Sequence, residues 1–187
     1  MKNPAIECIH GRRSIRSYED RPVPADVLDE IIAAGQMAPS GCNAQAWRFV
    51  VVTDPAFLKQ LAELAKPRYQ QWLEMAPPSF QALRQQIDTI PDPVYYGAPA
   101  VIFVVGWGMT ADPDSAMVCQ NMMLAAHSLG LGSCWVYFGQ LVLDDPGVRE
   151  ALELKPEEKV YGPILLGYPT ENQPARPPKN QPTVKIV

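Results

Sequence analysis

The sequence predicts an α+β fold in a single domain, residues 1–187. Four runs with strand character, Trp47–Thr53, Ala100–Gly106, Gly132–Tyr137 and Val160–Gly167, alternate with helical segments. They do so without the tight strand–helix–strand units of a nucleotide-binding parallel sheet, and neither G-x-G-x-x-G nor G-x-x-x-x-G-K-[ST] occurs. The composition, 47% hydrophobic and 19% charged over 187 residues, fits neither a disordered nor a fibrous chain. A chain of this length buries about 70% of the surface its unfolded form exposes, enough for a core to form without disulfide or metal staples.

Each element has its own signal. Pro4 to about Gly11 reads as a short helix with Ile6 and Ile9 on one side and Gly11 as its stop. Pro24 suits a first helical position, and Val27, Leu28, Ile31 and Ile32 carry an amphipathic helix that ends before Pro39. The polar stretch Pro39–Ala46 is a loop. Trp47–Thr53, rich in β-branched and aromatic residues, is a buried strand, and Asp54-Pro55 opens a helix through about Lys66. Residues 67–96 are interrupted by proline and read as helical pieces in a mobile cover. Ala100–Gly106 is a buried strand by its continuous apolar run. Asp112-Pro113 starts a helix that runs to Leu129 and stops at Gly130. A strand over Gly132–Tyr137, a helix over Asp144–Leu152 and a strand over Val160–Gly167, interrupted by Gly162 and Pro163, follow. Residues 170–187 form an extended, proline-rich tail.

Charge and cysteine usage exclude several classes. A net charge of −4 repels phosphate overall and opposes non-specific binding to nucleic acid or to an anionic membrane. Cys8, Cys42, Cys119 and Cys134 stand far apart, with no histidine at zinc-ligand spacing, so no metal site is expected and reduced thiols in the cytoplasm fit best. The N-terminus has no apolar run of the secretory kind. The stretch Ser115–Leu143 lacks Asp, Glu, Lys and Arg, yet Gln120, Asn121 and His127 make it a buried helix followed by a strand rather than a membrane span.

Three segments have the composition of a binding site. Arg12-Arg13-Ser14-Ile15-Arg16 sets three guanidinium forks and a hydroxyl just after a helix stop, as a phosphate cradle or as a solvated patch. Ser40-Gly41-Cys42-Asn43-Ala44-Gln45 offers two carboxamides, each with a donor beside an acceptor. They match the edge of a heterocycle or satisfy the loop's own backbone. Leu129-Gly130-Leu131-Gly132-Ser133-Cys134-Trp135 has two glycines at a helix-to-strand junction, for close approach of a planar ligand or for a plain helix cap. With only His10 and His127 in the chain, Cys134 has thin support as a nucleophile.

Together these segments resemble the nitroreductase family of FMN-dependent oxidoreductases over nearly the whole chain. The features that match in order are Arg12-Arg13-Ser14-x-Arg16 after the first helix; Ala38-Pro39-Ser40 with Asn43 and Gln45 before Trp47 and Phe49; Gln120-Asn121 in a helix leading to Gly130-Leu131-Gly132-Ser133-Cys134-Trp135; and Leu165-Leu166-Gly167-Tyr168-Pro169 before a basic, proline-rich tail. The resemblance implies a mostly antiparallel central sheet flanked by helices in an intertwined homodimer with two FMN sites at the interface. It implies Arg12, Arg13 and Ser14 at the FMN phosphate and ribityl end, and Arg16 near N1 and the C2 carbonyl. Pro39, Ser40, Asn43 and Gln45 would come from the partner chain to the ring edge. Trp135, Val136 and Tyr137 would lie along the ring, and Arg176 or Lys179, whose register is shifted by one, at the phosphate. Many members have glycine where this chain has Tyr137 and Phe138. The implied reaction is ping-pong hydride transfer from NADH or NADPH through N5 to a small conjugated acceptor such as a nitroaromatic or quinone, with no catalytic side chain, since the cofactor supplies the reactive atom. Tyr69, Trp72, Met75, Phe80, Tyr95 and Tyr96 are candidates for the walls of an acceptor slot, or for ordinary packing. Other chemistry of the family, an oxygen-dependent dehydrogenase or a dehalogenase, and a non-enzymatic FMN-binding protein are the alternatives.

Overall fold

The computed structural model describes residues 3–171 and 173–186, apart from the side chain of Gln86. Its elements are α1 (Pro4–Gly11), α2 (Ala25–Gln36), β1 (Trp47–Val52), α3 (Pro55–Met75), α4 (Gln81–Gln86), β2 (Ala100–Gly106), α5 (Ala111–Ser128), β3 (Gly132–Trp135), α6 (Pro146–Ala151) and β4 (Lys159–Gly167). The strands form one sheet in the order β1-β2-β4-β3, with every neighbouring pair antiparallel.

The continuous apolar run of β2 follows from its place between two cores. Successive side chains of a strand point to opposite faces. Val101, Phe103 and Val105 therefore pack with Leu61, Ala65, Tyr69 and Leu73 of α3, while Ala100, Ile102 and Val104 pack with Leu28 and Ile31 of α2 and Val118, Met122 and Ala126 of α5. All of these residues are buried, and each large aliphatic side chain contributes about 1.5–3 kcal/mol on burial. Edge strand β1 has one exposed residue, Val51.

Most boundaries differ from expectation by no more than two residues, as α6 does at its start, but several departures have a physical cause. Helix α3 does not stop near Lys66 but passes through Pro67 to Met75. Its buried residues Leu61, Ala65, Tyr69 and Leu73 keep i, i+4 spacing across the proline, and that shared burial outweighs the roughly 3 kcal/mol that proline costs inside a helix. Helix α5 begins at Ala111, so Asp112 lies inside its first turn rather than capping it, and Pro113 falls where no intrahelical N–H is needed. Pro24 is the cap of α2, not its first residue. Strand β3 ends at Trp135 instead of Tyr137, because the chain turns into a short 3₁₀ helix, Tyr137–Val142. There Phe138 packs on Tyr69 and Trp72, with ring centroids 4.4 and 4.5 Å apart.

Strand β4 is continuous across Gly162 and Pro163, and the irregularity expected there appears as a register shift opposite Ile102 and Val104. Gly130, with φ +80°, ends α5 as expected. Within residues 67–96, Tyr69, Leu73, Ile87, Val94 and Tyr95 belong to the core. Tyr69 and Tyr95 are thus packing residues, and Trp72 lies against Phe80 and Phe138.

Candidate functional site

Residues 12–18 lie as a ribbon along the outer edge of β3. Ser14 forms a parallel bridge with Ser133, Ile15 N–H donates to the Ser133 carbonyl at 2.9 Å, and Tyr18 bridges to Pro169. Ile15 anchors the ribbon because Gly132 has no side chain. A Cβ on that glycine would stand 2.7 Å from Ile15 Cγ2. With Ile15 buried, alternation leaves Ser14 and Arg16 exposed. The tail then returns across α1. Arg176 donates to the carbonyls of His10, Gly11 (2.7 Å) and Arg12 (2.5 Å), closing the carboxyl end of the helix, and Arg13 donates to the Pro174 carbonyl.

Ribbon and tail enclose a cleft of about 630 Å³ that brings together Arg12, Arg13, Ser14, Arg16, Arg176 and Lys179, with no carboxylate among its lining residues. Five cations without an acid, in a chain of net charge −4, make a local anion site. Arg12 Nε is buried and has no hydrogen-bond partner, a donor that an incoming oxyanion would satisfy. Arg16 lies beside Tyr96, its Cζ 5.9 Å from the ring centroid. Burial pushes the Tyr69 phenol up to about 12 and raises Tyr18, Tyr96 and the Cys134 thiol as well. These neighbours of Arg16 are therefore neutral near pH 7, and its charge remains available to a ligand. The same raised pKa leaves Cys134 a poor nucleophile.

A scan against family models matches residues 9–168 to the nitroreductase family. A protein of Methanothermobacter thermautotrophicus, whose name assigns it provisionally to the NADH dehydrogenases and NAD(P)H nitroreductases, is 32% identical over 178 residues, covering 94% of this chain and 82% of that protein. The chain belongs to the nitroreductase family. The protein named FMN reductase [NAD(P)H] of Bacillus subtilis is 29% identical, over 94% of this chain and 70% of its own. A crystal structure of a Bacteroides fragilis nitroreductase with bound FMN superposes with a TM-score of 0.81 at 33% identity, over 100% of both chains.

Within this nitroreductase-family chain the remaining candidate residues lie elsewhere. Trp135 and Tyr137 are 40% and 61% exposed, their rings 6.2 Å apart, and they border a separate groove with Asp112, Gln140 and Tyr161. Val136 is buried and its N–H is taken by the Pro163 carbonyl at 2.9 Å. The bulk of Phe138 is turned into the core, so only Tyr137 of that pair stands in solvent. Pro39, Ser40, Asn43 and Gln45 precede β1 at the opposite edge of the sheet from the arginine ribbon. Four strand spacings, roughly 19 Å, lie across the sheet between β1 and the arginine ribbon in one chain. Sequence reading named Tyr96 only as a candidate wall of the acceptor slot, without its place beside Arg16, and passed over the role of Asp114. Tyr96, at φ +55°, is set by a turn whose N–H groups at Val94, Tyr95 and Gly97 donate to the Asp92 carboxylate, and Asp92-Pro93 was its turn signal. Asp114 was read only as part of a helix start, yet its carboxylate meets the carboxamide loop.

Among the described residues, no helix is long and apolar enough to cross a membrane, and no group of three or more His, Cys, Asp or Glu is arranged to hold a metal ion.

Proposed function

We propose that the chain is an FMN-dependent NAD(P)H oxidoreductase, working as a homodimer in the cytoplasm on small conjugated acceptors such as nitroaromatics or quinones. The observation that carries this reading is the carboxylate-free cleft in which Arg12 Nε is buried without a partner. These residues fit a phosphate monoester: Arg12, Arg13 and Ser14 supply bidentate and hydroxyl contacts. Lys179 supplies the free cation, because the Arg176 donors are already spent on α1. Arg16 places its uncompensated charge toward the ring end. FMN held by these residues would supply the redox chemistry between NADH or NADPH and the acceptor. The names of the relatives, NAD(P)H nitroreductase and FMN reductase, support that reading. The side chains bind and orient; none is required as acid or base, and the buried thiol and phenols nearest Arg16 keep their protons.

Homodimer formation is supported by the separation of the two halves of the site and by an unburied apolar face. Helix α1 buries none of its residues; Ile6 and Ile9 are each 50% exposed, and Met37 beside them is 79% exposed. An apolar groove runs there between α1, α2 and α5, of the sort that marks an interface. In this reading the second copy's Ser40–Gln45 loop completes the first copy's cleft.

The test is the absorption spectrum of the purified protein, followed by anaerobic titration with NADH and with NADPH. The expected result is a yellow dimer that one or both nucleotides bleach, with reoxidation by a quinone or nitroaromatic. Colourless protein that takes up no added FMN refutes the reading. Bound FMN that neither nucleotide reduces favours family chemistry of another kind.

A further inference from the structure

The carboxamide loop has a conformation that its own sequence does not favour. Cys42 (φ 50°), Asn43 (φ 55°) and Gln45 (φ 49°) all lie in the left-handed region, which residues with side chains avoid and only asparagine among these tolerates readily. Such a shape persists where the surroundings over-determine it. Within the loop, Asn43 N–H donates to the Ser40 carbonyl, Ala44 N–H to the Gly41 carbonyl and Gln45 N–H to Ser40 Oγ, each at 3.0 Å. The side-chain tie to the rest of the fold is Asp114, beside the backbone bond from Trp107 N–H to the Ala46 carbonyl at 3.1 Å. Gly41 N–H donates to both of its carboxylate oxygens at 3.2 Å, and the Thr110 hydroxyl donates to Oδ2 at 2.7 Å.

Asp114 is a costly residue to use for packing alone. It is 4% exposed and, among the described residues, forms no ion pair. Its charge is held by two neutral donors, Gly41 N–H and the Thr110 hydroxyl, helped by its place in the first turn of α5. Close approach is built in from the other side as well, because a Cβ on Gly41 would stand 2.7 Å from Thr110 Cγ2 and 2.8 Å from its Oγ1. We propose that Asp114, braced by Thr110, is a positioning residue that holds Asn43 and Gln45 in the shape required at the flavin edge. Because the loop and the arginine cleft lie at opposite edges of the sheet, each Asp114 serves the site completed by the other copy. The inference rests on the functional reading above.

The test uses the full-length holoenzyme and FMN itself. Asp114→Ala blurs the fine structure of the bound flavin's visible bands and weakens FMN binding roughly tenfold, the loss of one charge-assisted hydrogen bond. Asp114→Asn restores both, since its Oδ1 still accepts from Gly41. Gly41→Ala, which leaves the carboxylate in place, reproduces the Asp114→Ala spectrum and covers the case in which that variant fails to fold. A copy carrying Arg12→Ala and Arg16→Ala is then paired with a copy carrying Asp114→Ala. Action across the interface yields one FMN per dimer with the wild-type spectrum and affinity. One FMN with the blurred spectrum overturns that part. Unchanged spectra and affinities in Asp114→Ala and Gly41→Ala, whatever happens to Tm, overturn the proposal. Failure of the wild-type chain to bind FMN at all is a failure of the functional reading, and the proposal falls with it.

Discussion

Arg176 and Lys179 both line the anion cleft, but their surroundings assign them different work. Arg176 spends its guanidinium on three carbonyls at the end of α1, whereas Lys179 enters the cleft as a flexible point charge. Removing the lysine as Lys179→Ala should therefore weaken FMN and leave riboflavin, which has no phosphate, unaffected. An exposed charge-assisted contact falls at the low end of its range, so the expected loss is about 1.4 kcal/mol, or tenfold. Arg176→Ala removes three exposed hydrogen bonds to neutral acceptors, about 0.5 kcal/mol each, and should lower the Tm of the FMN-free protein by roughly 3–6 °C. Any effect on FMN would then follow from fraying of α1. The assay is flavin fluorescence quenching with FMN and with riboflavin, at low and high salt, alongside thermal melts of the FMN-free variants. If Lys179→Ala leaves the FMN-to-riboflavin ratio unchanged while Arg176→Ala collapses it without moving Tm, the assignment is reversed and the capping argument fails.

Other expectations follow from packing and titration. Gly132→Ala forces a methyl group against Ile15; overpacking of about 1–3 kcal/mol should lower Tm, and displacement of the arginine ribbon should weaken FMN, so a variant unchanged in both would show that the ribbon is not seated there. Pro67→Ala restores a helical N–H in α3 without changing its buried face; a gain of about 1–2 kcal/mol is expected in denaturant melts, and destabilisation would mean that the proline sets a bend the core needs. The Arg48 hydrogen bond, opposed in part by burial, lowers Glu158 from 4.5 to about 2. A depressed carboxylate stabilises the fold above its unfolded pKa, and that stability is lost as pH falls from 4.5 toward 2. Acid melts of Glu158→Gln should be flatter over that window, and a parallel curve would place the acid sensitivity elsewhere.

What could be read from the sequence divides by range. The run Ala100–Gly106 revealed β2 with its observed limits because both faces of that strand are buried and local pattern suffices. Gly130 marked the end of α5 for the same reason: a left-handed residue is a local requirement. Helix α3 was misread at Pro67 because the signal that wins, burial of Leu61, Ala65, Tyr69 and Leu73 against the sheet, is tertiary. Local propensity at proline points the other way.

The site divides along the same line. Arg12, Arg13, Ser14 and Arg16 stand within five residues, so their joint presence in one cleft was visible as a string. Their setting was not. That Arg16 stands among groups kept neutral by burial depends on Tyr18, Tyr69, Tyr96 and Cys134 arriving from four separate segments. The carboxamide loop is the harder half, because Gly41 and Asp114 are 73 positions apart and neither looks unusual alone. A glycine that follows serine is ordinary in a loop, and an aspartate is ordinary in the first turn of a helix. Only their contact, together with three left-handed residues in the same loop, turns two unremarkable letters into one device. Strain at Cys42, Asn43 and Gln45 therefore says more about what the loop is for than its composition does. The left-handed backbone and the Asp114 contact at Gly41 are the grounds for the positioning role proposed for Asp114.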